Sequence, residues 1–160
     1  MKVLIEGMYE EFVHQDARLD GYTRGLERLA KADAKCCQLM QRRGIGAITA
    51  TYVVGCVTMA AFCRARSFAA WVGLVPRQYS TGGKPRLGHI SKGGNRYLRT
   101  LFIHGGRSVL RSLGRRDDDF SQWARALKAR RGFNVAAVAV ANKLARQTWA
   151  ELHGVDAAAA

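Results

Sequence analysis

The spacing of apolar residues constrains this fold most, because the period of an α-helix recurs in several separate segments. In residues 16–41, apolar side chains stand three and four positions apart with charged residues between them, at Leu19, Tyr22, Leu26 and Leu29. That spacing places them on one helix face. Similar spacing predicts helices over 95–113, where Asn95 is the N-cap, over a segment starting at 117–119, and over 134–152.

Shorter apolar segments predict two further helices, over 47–57 and 67–74. Two prolines in the whole chain disfavour a many-turned β-sandwich. We therefore expect an all-α fold, with a short hairpin as an option inside 75–94. The expected organisation is an N-terminal helical extension over 1–41, a helical domain over 42–152 and a disordered tail over 153–160. The extension could be the end of a coiled coil.

Charge is distributed unevenly along the chain. The 160 residues contain 26 Lys and Arg against 12 Asp and Glu, for a net charge of +14. Every residue from 34 to 116 is free of carboxylate, and this stretch holds 15 Lys or Arg. Such a surface suits a phosphate backbone. Two-metal nucleases need clustered carboxylates, so we expect no metal site in this chain alone. The acidic cluster 117–119 is interpreted as a helix N-terminus.

The cysteine spacing and the composition of the uncharged stretch argue against a zinc site and a membrane span. Four cysteines, Cys36, Cys37, Cys56 and Cys63, show no zinc-site spacing and are interpreted as buried, reduced thiols of a cytoplasmic protein. Residues 44–63 carry no charge, but they are rich in Gly, Thr and Ala and contain no Leu. We therefore expect nucleic acid as the partner and no membrane span.

The first candidate motif is Gly44-Ile45-Gly46, within LMQRRGIGAITA, which is typical of a helix-hairpin-helix element. One interpretation is that Gly44 and Gly46 let the backbone approach a DNA phosphate at the start of the second helix. The other is that the glycines serve helix packing. The neighbouring Arg42 and Arg43 favour the phosphate.

The second candidate motif is GLVPRQYSTGGKPRLGHISKGGNRYLR, residues 73–99. It combines basic side chains (Arg77, Lys84, Arg86, Lys92, Arg96, Arg99) with hydroxyls (Ser80, Thr81, Ser91) and glycines (Gly82, Gly83, Gly88, Gly93, Gly94). A hydroxyl oxygen can attack phosphorus when its proton is removed and arginines stabilise the charge that develops. His89 is either a general base or a solvated surface residue. We interpret the segment as a nucleic-acid-binding loop.

The string FAAWVGLVPRQYSTGGKPRLGHISKGGNRYLRTLFIHGGRSVL, residues 68–110, resembles the C-terminal domain of the IS110/IS116/IS902 family of bacterial insertion-sequence transposases. The likeness covers about 16–149. It implies a complete protein with an N-terminal RuvC-like domain, whose acidic set binds Mg²⁺, and a coiled coil leading to this domain. It also implies oligomers, and in some members a guide RNA that selects DNA sites.

The family's nucleophilic serine precedes Gly-Gly, and the matching position here is Thr81, with Ser80 as the hydroxyl residue before it. The resemblance leaves three alternatives: Thr81 serves, Ser80 substitutes, or the site is inactive. Arg77, Lys84, Arg86 and Lys92 match the family's loop and would hold phosphates. The acidic set has no counterpart here, so we expect a nucleoid-associated DNA-binding half that does not transpose alone. The alternative is a non-catalytic remnant or regulator of an intact transposase.

Overall fold

The computed structural model describes residues 2–84, 86–115 and 117–154. They form seven α-helices and one two-stranded sheet, so the prediction of an all-α fold is confirmed. The elements are α1 Lys2–Ala32, α2 Ala34–Met40, α3 Ala47–Cys56, α4 Ala65–Trp71, β1 Pro76–Gln78, β2 Leu87–Ile90, α5 Arg96–Arg111, α6 Asp119–Arg131 and α7 Phe133–Leu152. Short 3-10 turns occupy Met59–Ala61 and Leu113–Arg115.

The prediction of one helix over 16–41 is wrong in two respects. Helix α1 begins at Lys2 and ends at Ala32, and a separate helix follows it. The break lies at Asp33, whose extended backbone and carboxylate cap α2 by accepting the Cys36 amide at 2.8 Å. A cap of this kind starts a new helix, and apolar spacing does not reveal where that happens.

Helix α5 forms the centre of the core and packs against α7 along its length. The two helices approach so closely that a Cβ added to Gly106 would lie 2.4 Å from the Ala137 carbonyl oxygen. The core to which both helices contribute contains large, fully buried side chains: Phe68, Leu98, Phe102, Val140 and Leu144. Helices α4 and α6 cover α7 on other sides, and α2 and α3 lie beside α1.

Further sequence predictions concern the hairpin, the helix caps, a membrane span and the C-terminal tail. The hairpin inside 75–94 exists, and Asn95 caps α5 as predicted by accepting the Leu98 amide at 2.9 Å. Asp118 caps α6. The uncharged stretch 44–63 contains only the ten-residue α3 and a 3-10 turn. Within the described parts of the chain, no helix is long and apolar enough to cross a membrane. Of the predicted tail 153–160, residues 155–160 lie outside the described residues.

All four cysteines are free thiols, but the prediction that they are buried holds only in part. Cys36 is buried and Cys37 half-buried, whereas Cys56 and Cys63 are exposed. Burial, with help from the Asp33 carboxylate, raises the pKa of the Cys36 thiol to about 11.

Candidate nucleic-acid interface

The glycine-rich loop forms an exposed antiparallel hairpin between α4 and α5. Pro76 pairs with Ile90 and Gln78 with Leu87, and an irregularity lies between the two pairs. The strands are three and four residues long, and their side chains are exposed except for Ile90 at one end. A hairpin that buries so little apolar surface takes its orientation from its base.

The tip of the hairpin is a tight turn built by two glycines. Thr81 and Lys84 form an isolated bridge, in which the Lys84 amide donates to the Thr81 carbonyl at 3.2 Å. Between them Gly82 and Gly83 have φ angles of +59° and +75°, the signature of a type I′ turn, which requires positive φ at both positions. The glycines of the predicted site therefore shape the turn that carries the hydroxyl residues.

The two candidate hydroxyls lie side by side but have different partners. The Ser80 Oγ accepts hydrogen bonds from the Gln78 Nε2 at 2.8 Å and from the Arg86 amide at 3.2 Å. The Thr81 Oγ1 has no hydrogen bond among the described residues, and both side chains are exposed. Two N–H donors aimed at one oxygen favour its deprotonated form, which is the nucleophilic one.

Most predicted basic residues lie exposed on or beside this hairpin. Lys84, Arg86, Lys92 and Arg96 are exposed, and among the described residues none of them forms an ion pair. Arg77 is also exposed, and its Nη2 donates to the Ser91 carbonyl at 3.2 Å. His89 is exposed on β2, the same hairpin that carries both hydroxyls.

Arg99 lies apart from these exposed basic residues. Its side chain is buried, and its Nη1 donates to the Val72 carbonyl at 2.9 Å and to the Gly93 carbonyl at 2.7 Å. The guanidinium faces backbone inside the protein, so Arg99 lies outside the exposed basic set with which the sequence grouped it.

The Gly-Ile-Gly turn connects α2 to α3, as its spacing indicated. Gly44 has φ +85°, and a Cβ there would lie 2.8 Å from the Gly105 carbonyl oxygen of α5. Gly46 is the N-cap of α3, has no side-chain cap, and faces open space. The missing Cβ of Gly44 is thus required by packing, whereas a Cβ on Gly46 would meet no neighbour. Both glycines border an open groove of about 470 Å³ that Ile48, His104 and Ser108 also line.

Arg42 and Arg43, which favoured a phosphate at this turn, are held by carboxylates. Arg42 donates to the Glu151 carboxylate from Nε at 2.9 Å and from Nη2 at 2.5 Å. Arg43 reaches both Asp118 oxygens at 2.8 Å. Each arginine therefore ties the turn to another helix, and its charge is already paired with a carboxylate.

These contacts lower the pKa of both carboxylates. The Arg42 hydrogen bond, then the one from Gln38, lowers the pKa of Glu151. The Ser121 amide, then the Arg43 guanidinium, lowers the pKa of Asp118. Among the described residues, no group of three or more His, Cys, Asp or Glu side chains is placed to hold a metal ion.

One functional candidate escaped the sequence analysis: a basic stripe on α5. Arg96, Arg107 and Arg111 are spaced by eleven and four residues, so they share one helix face with the exposed Thr100 and His104. The stripe begins at the base of the hairpin and extends about 22 Å at 1.5 Å per residue. The helical spacing of these arginines indicates the stripe in the sequence itself. From the sequence, only the basic residues up to Arg99 were grouped with the loop.

Residues 36–122 match the model of the transposase IS116/IS110/IS902 family. The chain belongs to this family.

Several relatives carry the likeness along nearly the whole chain. A protein of Pseudomonas aeruginosa named "Probable family 20 transposase" is 45% identical over 95% of this chain and 45% of its own length. The transposase for insertion sequence element IS1111A of Coxiella burnetii is 42% identical over 95% of this chain and 42% of its own length. The transposase for insertion sequence element IS1328 of Yersinia enterocolitica is 33% identical over 91% and 44%. The chain thus spans less than half the length of these relatives.

Proposed function

We propose that this chain is the DNA-binding half of an insertion-sequence transposase and that its hairpin presents a hydroxyl nucleophile to a DNA phosphodiester. The observation that carries the proposal is the exposed hairpin tip, where Ser80 and Thr81 stand between Arg77, Lys84 and Arg86. No carboxylate interrupts residues 34–116, so the hairpin itself presents only positive charge to an approaching phosphate.

The binding surface combines the hairpin with the basic stripe of α5. Both consist of exposed or half-exposed cations that have no carboxylate partner among the described residues. Contacts of this kind neutralise phosphates and carry no base sequence information. Target choice therefore comes from elsewhere, and a guide RNA held by the complete protein is one source consistent with the family resemblance.

The chemistry is a transesterification. The hydroxyl oxygen attacks phosphorus, its proton passes to a base, and the bond from phosphorus to one deoxyribose oxygen breaks, so that this oxygen leaves with a proton. One phosphoester replaces another, so no co-reactant is consumed. The arginines beside the tip stabilise the charge of the pentavalent transition state. Ser80 is the better-activated hydroxyl because two N–H donors face its oxygen, whereas the family position points to Thr81.

A complete transposition reaction would draw on the remainder of a longer protein. The described residues contain no group of three or more His, Cys, Asp or Glu side chains placed to hold Mg²⁺. An acidic RuvC-like domain would supply that ion in the complete transposase. By itself the chain would bind DNA at the nucleoid in the cytoplasm and would not complete transposition.

A second function, regulation of an intact transposase through mixed oligomers, is favoured by α1. Apolar side chains spaced three, four or seven residues apart run along this helix, and they are 61% to 68% exposed: Ile5, Met8, Phe12, Leu19, Tyr22 and Leu29. The spacing is that of a coiled-coil seam. A second copy of this chain, or the same helix of a full-length transposase, would cover the stripe.

The deciding experiment incubates the chain with end-labelled nicked and supercoiled DNA and resolves the products on a denaturing gel. We expect a slower band that survives denaturation and that protease treatment removes. Ser80→Ala and Thr81→Ala assign the nucleophile, and Thr51→Ala on α3 is the matched control because its hydroxyl bonds only to its own helix. Salt-sensitive binding without an adduct would support the regulator, and an absence of binding would reject both functions.

A further inference from the structure

The base of the hairpin is closed by a backbone crossing that only glycine permits. The chain leaves α4 through Gly73 and enters α5 through Gly94, with φ angles of +81° and +64°. A Cβ on Gly94 would lie 1.7 Å from the Trp71 carbonyl oxygen, and a Cβ on Gly73 would lie 2.3 Å from the Gly93 carbonyl oxygen. The two ends of the hairpin therefore touch backbone to backbone.

Arg99 joins the two sides of this crossing. Its Nη1 donates to the Val72 carbonyl, on the α4 side, and to the Gly93 carbonyl, on the α5 side. Only 9% of the residue is exposed. A buried cation is costly unless its donors are satisfied, and the two backbone carbonyls accept both N–H donors of Nη1 here. Outside the crossing, the Ser91 amide donates to the Val75 carbonyl at 2.8 Å, and the hairpin ladder begins.

We propose that Arg99 is a positioning residue, which closes this hairpin clamp (Trp71, Val72, Gly73, Gly93, Gly94 and Arg99) and so fixes where the hydroxyl tip stands relative to α5. The inference rests on the proposed function for its consequence, but the clamp itself is a property of the fold. The strands bury almost nothing, so the orientation of the hairpin is set at its base. There the Lys92 amide also donates to the Gly73 carbonyl at 3.3 Å, and the Asn142 amide donates to the Leu74 carbonyl at 3.2 Å.

The position of the tip matters because attack on phosphorus requires alignment. A displacement of about 1 Å can cost on the order of a hundredfold in rate. Arg99 therefore acts on the reaction through the hairpin, while its charge contacts no phosphate. This role differs from that of Arg96, which is exposed at the start of the same helix.

A pair of neighbouring glycines tests the clamp without changing any charge. Gly94→Ala drives a methyl group into the Trp71 carbonyl, whereas a Cβ on Gly93 meets nothing within 4 Å and no positive φ opposes it. We expect hydrogen exchange of the Tyr79 and Ser91 amides, measured by NMR, to accelerate at least about tenfold in Gly94→Ala and to change little in Gly93→Ala. Helix α7 amides report whether the variants still fold.

A second pair tests the arginine itself. Arg99→Gln should accelerate exchange at the same hairpin amides and lower the yield of covalent adduct, and Arg99→Lys should restore part of both. Because Arg99 contacts no phosphate, the slope of log Kd against log salt should stay unchanged in Arg99→Gln and fall by about 0.9 in Arg96→Gln. Such a slope change in Arg99→Gln, or unaltered hairpin exchange in both Arg99→Gln and Gly94→Ala, would overturn the proposal. If the unmodified chain binds no DNA, the proposed function fails, and hydrogen exchange still decides the clamp.

Discussion

The Gly105 carbonyl oxygen lies 2.8 Å from the point where a Cβ on Gly44 would stand, so the Gly-Ile-Gly turn and α5 meet backbone to backbone. The contact is reciprocal, because a Cβ on Gly105 would lie 2.1 Å from the Gly44 carbonyl oxygen. The turn is therefore held against the central helix by the two residues that have no side chain to separate them.

This contact yields a prediction that separates the two interpretations of the turn. Gly44→Ala should destabilise the fold by about 2–4 kcal/mol, from overpacking and from the cost of a positive φ. Gly46→Ala should cost at most about 1 kcal/mol, because its φ is −98° and its Cβ meets open space, so only the poorer N-cap propensity of Ala opposes it. Urea unfolding measures both. A normal midpoint for Gly44→Ala would show that its glycine serves something other than packing.

The fold class could be predicted from local sequence, because helical periodicity and caps are local signals. Asn95 illustrates this: it precedes an apolar periodic segment, and it does cap α5. The end of α1 could not be placed, because the cap at Asp33 lies inside a continuous helical pattern. Periodicity shows which face is apolar but not where a helix restarts.

The residue types of the candidate site could be predicted from the sequence, but their hydrogen-bond and ion-pair partners could not. The hairpin, its glycine turn and its exposed cations follow from one contiguous segment. The carboxylates that hold Arg42 and Arg43 lie 109 and 75 residues further along the chain, and no local pattern indicates such pairs. The same holds for Arg99, whose acceptors are backbone carbonyls.

The Arg42–Glu151 pair predicts a pH dependence of stability. The pKa of Glu151 is lowered from 4.5 in the folded chain and returns towards that value on unfolding. Its contribution is therefore complete above about pH 4.5 and is lost as pH falls through the folded-state pKa. Glu151→Gln should cost about 1 kcal/mol at pH 7 and flatten this acid limb. Urea midpoints between pH 3 and pH 7 check it, with Asp20→Asn, from an exposed pair on α1, as the control.

Thr148 predicts a stabilising substitution. Thr148 lies on α7 and is 1% exposed, and its Oγ1 has no hydrogen-bond partner among the described residues. Thr148→Val keeps the shape and removes an unsatisfied hydroxyl, so it should stabilise the fold by about 1 kcal/mol. Thr100→Val, at an exposed position on α5, should have little effect. A lower melting temperature for Thr148→Val would indicate that the hydroxyl is satisfied in solution.

The basic stripe of α5 predicts a specific salt dependence. If Arg107 and Arg111 contact DNA phosphates, replacing both with Gln should lower the slope of log Kd against log salt by about 1.8. Arg24→Gln on α1 removes a charge that already pairs with Asp20, and it should leave the slope unchanged. Fluorescence anisotropy with a labelled duplex at several salt concentrations measures these slopes. Equal losses in all variants would mean that net charge, and not the stripe, governs binding.

The apolar stripe of α1 predicts self-association. Leu19 lies on the stripe and is 62% exposed, whereas Ala17 lies on the opposite face of the same helix. Leu19→Glu should weaken the dimer by at least about tenfold, because it places a charge in the apolar seam. Ala17→Glu adds the same charge to the same helix and should leave the dimer intact. Sedimentation velocity over a range of concentrations distinguishes the two variants. An unmodified chain that stays monomeric at every concentration would contradict the assignment, since the stripe would then have no partner in a second copy.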